Sequence, residues 1–365
     1  MTKFKIPVAN PVLSQLAKKY VNQVLDSNWI SSGKFCRIFE EKMADYLGVK
    51  HVLTMCSGSA ACYALCQAID VQEGDCIATN NVTYVATANA IHFSKAKPVF
   101  VEPDINTYCM QIEDLERVIN LLDSKVKYVF YADILGSTTD IIRLEEVCNR
   151  YGIQIIGDCC ESFSAYYNDE SRVGSKHTSC FSGYANKTVF SGEGGWISTN
   201  DDELAEKISL FRGQGQKGGT YNHVIPAYNF RLTDMQAAIL LANFEELEQN
   251  LAERKRVFAA YNKYLGGANN IYPQAQYPNS VSSHWMYAIS TPNKGKITAA
   301  LEAANIEWRA LFKPMNQLPM YGAPNLLFPA SKCLYDSVIV LPTYPSLTNL
   351  EIIYITDIIK RSDDS

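Results

Sequence analysis

The chain has 365 residues, 47% hydrophobic and 19% charged, enough material for one large core and a smaller second lobe, and far from a disordered composition. A net charge of −5 excludes a broad grip on nucleic acid, which rests on many Lys and Arg contacts to phosphates, but leaves room for a single nucleotide held by a few local groups. Met1-Thr2-Lys3-Phe4-Lys5-Ile6-Pro7 lacks the apolar stretch of a signal peptide, and there is no apolar run of about 18 residues to span a bilayer, so the expected location is the cytoplasm, away from the membrane.

Pro11 through Asp26 carries Leu13, Leu16, Ala17, Tyr20, Val21, Val24 and Leu25 at helical spacing and stops before the loop Trp29-Ile30-Ser31-Ser32-Gly33. Phe35 to Leu47 reads as a second helix and His51 to Met55 as a strand. The turn Cys56-Ser57-Gly58-Ser59-Ala60-Ala61 then opens a helix running to about Ile69. Free N–H groups at such a helix start, with hydroxyls beside them, make an anion site, although an ordinary N-cap has the same composition.

The alternation then becomes regular. Asp75 to Thr79, Lys97 to Val101, Tyr128 to Tyr131 and Ile153 to Gly157 read as strands, with helices over 83–93, 112–122 and 144–151. Repeated β-α units predict a mainly parallel sheet covered on both faces, with its site at the carboxyl ends of the strands. Asp158 stands at such an end, and so does the loop Asn80-Asn81-Val82-Thr83-Tyr84.

Cys180-Phe181-Ser182-Gly183-Tyr184-Ala185-Asn186-Lys187 leads through Gly192-Glu193-Gly194-Gly195 into Trp196-Ile197-Ser198. It places one lysine between a weakly β-like run and a glycine-rich turn. An amine held among small residues out of bulk water is a candidate nucleophile toward an aldehyde, where an ordinary lysine is surface charge. Asp201 to Phe211 reads as a helix, and Arg212 to Gly219 as a mobile glycine-rich connection. Thr233 to about Leu265 reads as one long helix bridging two lobes. His284 to Ile289 follows as a strand, Lys296 to Ala304 as a helix, and Leu341 to Leu347 as the loop before a final helix. The eleven cysteines lie in apolar patterns and read as small buried hydrophobes. The adjacent Cys159 and Cys160 have no spaced partner pair, so no metal is expected.

Strand-Asp158-x-x-Glu161, Ser182-x-x-x-x-Lys187 and Gly192-Glu193-Gly194-Gly195 together resemble the sugar aminotransferases of the DegT/DnrJ/EryC1/StrS family, from about Ile6 to the C-terminus. The resemblance implies an α/β chain of the aspartate-aminotransferase-like fold (PLP fold type I). A large domain with a mainly parallel, seven-stranded-type sheet would span residues 1–245, its N-terminal segment packing on a smaller C-terminal α/β domain over 246–365. It implies pyridoxal 5'-phosphate, with pyridoxamine 5'-phosphate in the half-reaction, Lys187 as Schiff-base lysine and proton carrier, and Asp158 as partner of the ring nitrogen. Gly58, Ser59 and Ala60 would hold the phosphate, Ser59 standing where threonine is usual. Tyr84 would stack on the ring, Glu161 would lie beside the phenolic oxygen, and Ser182 would complete the cofactor site. Tyr228-Asn229-Phe230-Arg231 resembles the segment that reaches a neighbouring subunit, where Asn229 would touch the phosphate of a homodimer's shared site. Ala227 replaces the glycine usual before it.

The substrate follows by resemblance as well. Trp29-Ile30-Ser31-Ser32, Arg212-Gly213-Gln214-Gly215, His223 and Phe312-Lys313-Pro314-Met315 resemble the members that aminate carbon 4 of a nucleotide-linked 4-keto-6-deoxyhexose, with glutamate as donor. Ser31, Ser32, His223, Arg309, Phe312 and Lys313 are the candidate substrate residues, Arg309 being followed by Ala310 where the family has proline. A GDP-linked sugar is expected; a UDP- or dTDP-linked 4-keto-6-deoxyglucose, giving a viosamine-type product, is the alternative. A sugar dehydratase would carry histidine where Lys187 stands, and a non-enzymatic ligand sensor would have no need of Lys187 or Asp158.

Overall fold

The computed structural model describes residues 5–122, 125–219, 221–322 and 327–364. Met1 to Phe4, part of the segment read for a leader, lie outside them. Helix α1 (Gln15–Ser27) begins later than its apolar spacing predicts, because Ser14 caps it by accepting the Ala17 N–H. Helix α2 (Lys34–Leu47) buries Phe35, Cys36, Phe39, Met43 and Leu47 along one stripe. It ends at Gly48, whose φ of 69° favours glycine.

Elements β1 (His51–Met55), α3 (Gly58–Ala68), β2 (Cys76–Asn80), α4 (Val85–Phe93), β3 (Lys97–Val101), α5 (Ile112–Leu121), β4 (Val126–Ala132), α6 (Ile141–Tyr151), β5 (Gln154–Asp158), β6 (Ser179–Ser182) and β7 (Gly195–Thr199) follow. They build a seven-stranded sheet in the order β1-β7-β6-β5-β4-β2-β3. The run from β3 to β6 is parallel, while β7 is antiparallel to both β6 and β1. Alternate residues face alternate cores. Trp196 and Val129 pack with α2, α5 and α6 on one face, and Ile197 and Phe130 with α3 and α4 on the other. A strand such as β2 is buried along its whole length, as parallel strands between two helical layers must be.

Helix α7 (Asp202–Arg212) leads into the glycine-rich segment, which is more ordered than a mobile connection. Gly213 bridges to Asn229 and Gln216 to His223, and the Gln214 N–H donates to the Tyr228 carbonyl at 2.7 Å. The long helix predicted from Thr233 is two, α8 (Asp234–Glu245) and α9 (Leu247–Leu265), broken at Glu246 with φ −99° and ψ 11°. The break directs Ala237, Ala238 and Leu241 into the large core and Val257, Tyr261 and Leu265 into a separate one.

The chain then forms β8 (Tyr272–Pro273), β9 (Tyr287–Ser290), α10 (Lys294–Ala303), β10 (Arg309–Ala310), α11 (Pro329–Ser337), β11 (Val338–Leu341) and α12 (Asn349–Asp364), and the second core lies among α9, β9, α10, β11 and α12. Its strands form a four-stranded antiparallel sheet in the order β10-β11-β9-β8. Ile6 joins it, bridging to Ile306, and the Val8 carbonyl accepts the Thr343 N–H at 3.0 Å. A further apolar cluster, with Val82 and Ile134 beside Trp285, Leu311 and Leu334, seals the junction of the two sheets.

Candidate active site

The parallel strands deliver their following residues to one edge of the large sheet, where a cavity of about 400 Å³ opens, the usual place for a ligand in an open α/β sheet. Strand β5 ends on Asp158, β4 leads into Asp133, β2 into Thr83 and Tyr84, and β6 into the Lys187 loop. Asp158 is 6% exposed. Thr87 Oγ1, in the first turn of α4, donates to its Oδ2 at 2.6 Å, and the Cys160 N–H donates to Oδ1 at 3.2 Å. Thus the carboxylate's orientation is fixed from two elements.

Lys187 sits on a tight turn in which its own N–H donates to the Tyr184 carbonyl at 2.8 Å and the Ala185 N–H to that of Gly192 at 3.0 Å. Gly192, at φ 89°, is where the turn needs a glycine. The Lys187 side chain is 12% exposed, and its Nζ lies 3.7 Å from Glu161 Oε1 and 3.5 Å from the centroid of the Trp285 ring. Trp285 also donates from Nε1 to the Asn186 carbonyl at 2.9 Å, tying the small-lobe side of the cavity to the lysine loop.

Two further buried carboxyls line the cavity, Glu161 beside this amine and Asp133 on the wall. Burial pushes the Glu161 carboxyl up, with Asp158 adding to the rise, while Lys187 and the Leu135 N–H, donating to Oε2 at 2.9 Å, oppose it. Burial also pushes Asp133 up, to about 7, against donors from Ser162 Oγ at 2.6 Å and the Thr139 N–H at 2.8 Å. Cys62 and Cys160 stand close enough to Asp158 to share an ion with it. Both thiols are pushed well up, Cys160 by its hydrogen bond with Cys62 and then by burial.

At the start of α3 the Ser57 hydroxyl accepts the Ala60 N–H at 3.0 Å. The N–H groups of Gly58 and Ser59 are those a helix leaves without an internal acceptor, at the positive end of its dipole. Gly58 also keeps this corner open: a Cβ there would fall 2.8 Å from Ser182 Cβ and 3.2 Å from Cys160 Sγ. An anion-binding helix start, a buried carboxylate and a shielded amine therefore line one cavity, a donor set that fits pyridoxal 5'-phosphate. Gly58 and Ser59 would hold its phosphate, Asp158 its ring nitrogen and Lys187 its aldehyde.

Of the residues singled out in the sequence, Gly58, Ser59, Tyr84, Asp158, Glu161, Ser182, Lys187, Arg309 and Phe312 line the cavity. Ala60 is not among the lining residues, and its N–H is taken by the cap. Tyr84, 56% exposed, has its ring 6.0 Å from that of Phe312. Ser31, Ser32, His223, Asn229 and Lys313 are not among the lining residues. The Ser31 carbonyl accepts the Asp234 N–H, the Ser32 carbonyl accepts from Trp29 Nε1, and His223 Nδ1 faces the Gln214 carbonyl at 2.9 Å. Asn229 stands on an exposed loop, accepting the Arg231 N–H. Sequence reasoning missed Thr87, Cys62 and Trp285 as site residues. The one available signal was the position of Thr87 one turn after Tyr84.

Compared with known proteins, the chain matches the DegT/DnrJ/EryC1/StrS aminotransferase family over residues 11–360. It is 32% identical over 361 residues to the GDP-perosamine synthase of Escherichia coli O157:H7, covering 98% of each chain. It is 33% identical over 358 residues to the GDP-perosamine synthase of Caulobacter vibrioides, covering 95% of each. Among solved structures it is similar to Helicobacter pylori PseC, an aminotransferase involved in the biosynthesis of pseudoaminic acid, with a TM-score of 0.90, 25% identity and full coverage of both chains.

Proposed function

We propose that this chain, which belongs to the DegT/DnrJ/EryC1/StrS aminotransferase family, is a pyridoxal-phosphate-dependent transaminase of a nucleotide-linked sugar. Its acceptor is a GDP-linked 4-keto-6-deoxyhexose, aminated at carbon 4 as in GDP-perosamine synthase, and its donor is glutamate. The observation that carries the reading is the convergence of the Lys187 amine, the Asp158 carboxylate and the α3 N-terminus on one cavity. The bound cofactor supplies an electron sink for charge that develops beside the transferred nitrogen. Asp158, oriented by Thr87 and Cys160, keeps a proton on the ring nitrogen. Lys187 Nζ would take the proton from the donor's α-carbon in one half-reaction and, in the other, would give a proton to the acceptor carbon that receives the nitrogen. Glu161 and Trp285 hold that amine within the cavity.

Carbon 4 and guanosine rest on the whole-length similarity to the two GDP-perosamine synthases. Arg309 is the cavity-lining residue assigned to the sugar diphosphate, and Phe312 lines the same cavity as a further substrate residue. A UDP- or dTDP-linked 4-keto-6-deoxyglucose is the second reading; His223 and Lys313, candidates for the sugar diphosphate, lie outside the cavity and do not decide between the bases. The exposed position of Asn229, with Tyr228 beside it 47% exposed, supports a homodimer in which this loop completes the other copy's site. The proposed lobes are residues 1–245 and 246–365. No helix among the described residues is long and apolar enough to cross a membrane, and we assign the enzyme to the cytoplasm.

The test is kcat/KM for GDP-, UDP- and dTDP-linked 4-keto-6-deoxy sugars measured side by side, since discrimination is a ratio of those constants. The highest value is expected for the GDP sugar. A clear preference for a 3-keto sugar overturns the carbon-4 assignment, and a large preference for UDP or dTDP moves it to the viosamine-type product.

A further inference from the structure

A second cavity, of about 320 Å³, lies against the Lys187 loop between the segment that begins at Ala9, the α8–α9 junction and the loop at Thr343 to Ser346. Asn186 and Lys187 line both this cavity and the cofactor cavity. Arg254, from α9, also lines it. The arginine is 5% exposed, and its one hydrogen bond among the described residues runs from Nη1 to the Trp285 carbonyl at 2.9 Å. Its Nε is buried with no partner, and no carboxylate among the described residues pairs with it. Burial alone pulls its guanidinium down to about 10.

A buried guanidinium without a counter-ion is expensive, because neither water nor a carboxylate compensates the lost hydration. Glu246 is the one carboxylate on the wall of this cavity, and it forms no ion pair with Arg254. With Lys187 the lining carries two cations to that single anion. Among the described residues neither Nε nor Nη2 of Arg254 makes a hydrogen bond, and that edge is the fork that receives a planar carboxylate through two parallel bonds. A second unsatisfied group is nearby: Asn186 Oδ1 is buried without a donor. An unpaired cation and an unpaired acceptor on two residues of one cavity wall complement a carboxylate and an ammonium group. The volume, near the lower end for small-molecule sites, suits an amino acid better than a nucleotide sugar.

We propose that Arg254 is the anchor of a carboxylate subsite beside Lys187, which takes a small amino acid through its carboxylate. That the occupant is the amino donor rests on the transaminase reading; the carboxylate subsite does not. Because Arg254 bonds to Trp285 and the Trp285 ring lies against Lys187 Nζ, an occupant would also steady the aromatic wall of the cofactor cavity.

The experiment is a calorimetric titration of the full-length, cofactor-loaded protein with glutarate, which has glutamate's carboxylates but no amine to react. Sodium chloride at equal ionic strength and inorganic phosphate serve as controls. Glutarate is expected to bind, and Arg254→Met to weaken it at least tenfold. Arg254→Lys, which keeps the charge without the fork, falls between the two. Should Arg254→Met fail to fold, the wild-type titration and Arg254→Lys decide the question. No glutarate binding to the wild type, unchanged affinity in Arg254→Lys and in whichever methionine variant folds, or tighter binding of phosphate each overturns the proposal. A protein that binds glutarate through Arg254 but aminates no sugar keeps the subsite and loses the transaminase reading; the converse result separates them the other way.

Discussion

Thr87 Oγ1 donates to Asp158 Oδ2 at 2.6 Å, so the carboxylate at the end of β5 is oriented by the first turn of a helix that follows a different strand. Thr87→Val removes that donor at nearly constant volume. With one hydrogen bond to a charged group worth about 1.5–3 kcal/mol, kcat is expected to fall by about tenfold or more with the fold intact. Thr87→Ser should restore most of it. Asp158→Asn should cost more than Thr87→Val, since it removes the charge itself; near-full activity of the asparagine variant would take Asp158 out of its role.

Lys187→Ala leaves the cavity without its amine. The purified variant is expected to lack both turnover and the visible absorption that the wild type shows with bound cofactor. An absorbance scan and a coupled assay check both, and retention of either refutes the assignment.

Gly58→Ala puts a methyl 2.8 Å from Ser182 Cβ, in the corner that would hold phosphate. The helix itself should tolerate alanine, which is the better helix former. Affinity for pyridoxal phosphate is therefore expected to fall by about tenfold, roughly 1.4 kcal/mol, while the far-ultraviolet circular dichroism stays unchanged. An equilibrium titration of the cofactor-free protein measures this, and equal affinity means the corner is not the phosphate site.

Asp133 gives a pH signature. Its carboxyl is pushed up to about 7 in the folded state, against about 3.9 in an unfolded chain, so between those values the folded state holds a proton that the unfolded state releases. The stabilisation is complete below about pH 4 and is lost as pH rises through about 7. Wild-type Tm should therefore drop across this window relative to Asp133→Asn. Glu161 shifts in the same direction, which is why the difference between the two proteins is the informative quantity. Parallel curves would rule the effect out.

Asp234 is buried and accepts the N–H groups of Gly33 at 2.9 Å, Cys36 at 3.0 Å and Phe35 at 3.1 Å, closing the start of α2 from the start of α8. Asp234→Ala strands three donors, and urea denaturation is expected to show a loss of about 3 kcal/mol or more. Asp234→Asn should lose less, because one carbonyl oxygen remains.

The parallel sheet was legible because its strands are short apolar runs between helical patterns, and because a strand such as β2 is buried throughout. The positions of Asp158 at a strand end and of Lys187 on a glycine-bounded turn could be read for the same local reason. Thr87 and Trp285 could not. Their roles come from tertiary contacts, across 71 residues from Thr87 to Asp158 and 99 from Trp285 to Asn186, that no periodicity encodes. The break at Glu246 has no Gly or Pro to announce it; it follows from two cores lying in different directions. The segment after Arg212 looked loose by composition, yet Arg212 pairs with Glu40 at 2.6 Å and the loop bridges back on itself.

The bridge between Ile6 and Ile306 bears on how a ribosome delivers this protein. Ile6 emerges about 300 residues before its partner Ile306, and the apolar core that receives it is assembled mostly from residues translated after the large sheet. The large parallel sheet can collapse while the chain is still growing; the small lobe must wait for a segment made long before it. During that interval Ile6 and Val8, both fully buried in the finished protein, are exposed apolar chain. A fusion partner attached ahead of them would therefore hinder the last step of folding more than one attached after α12.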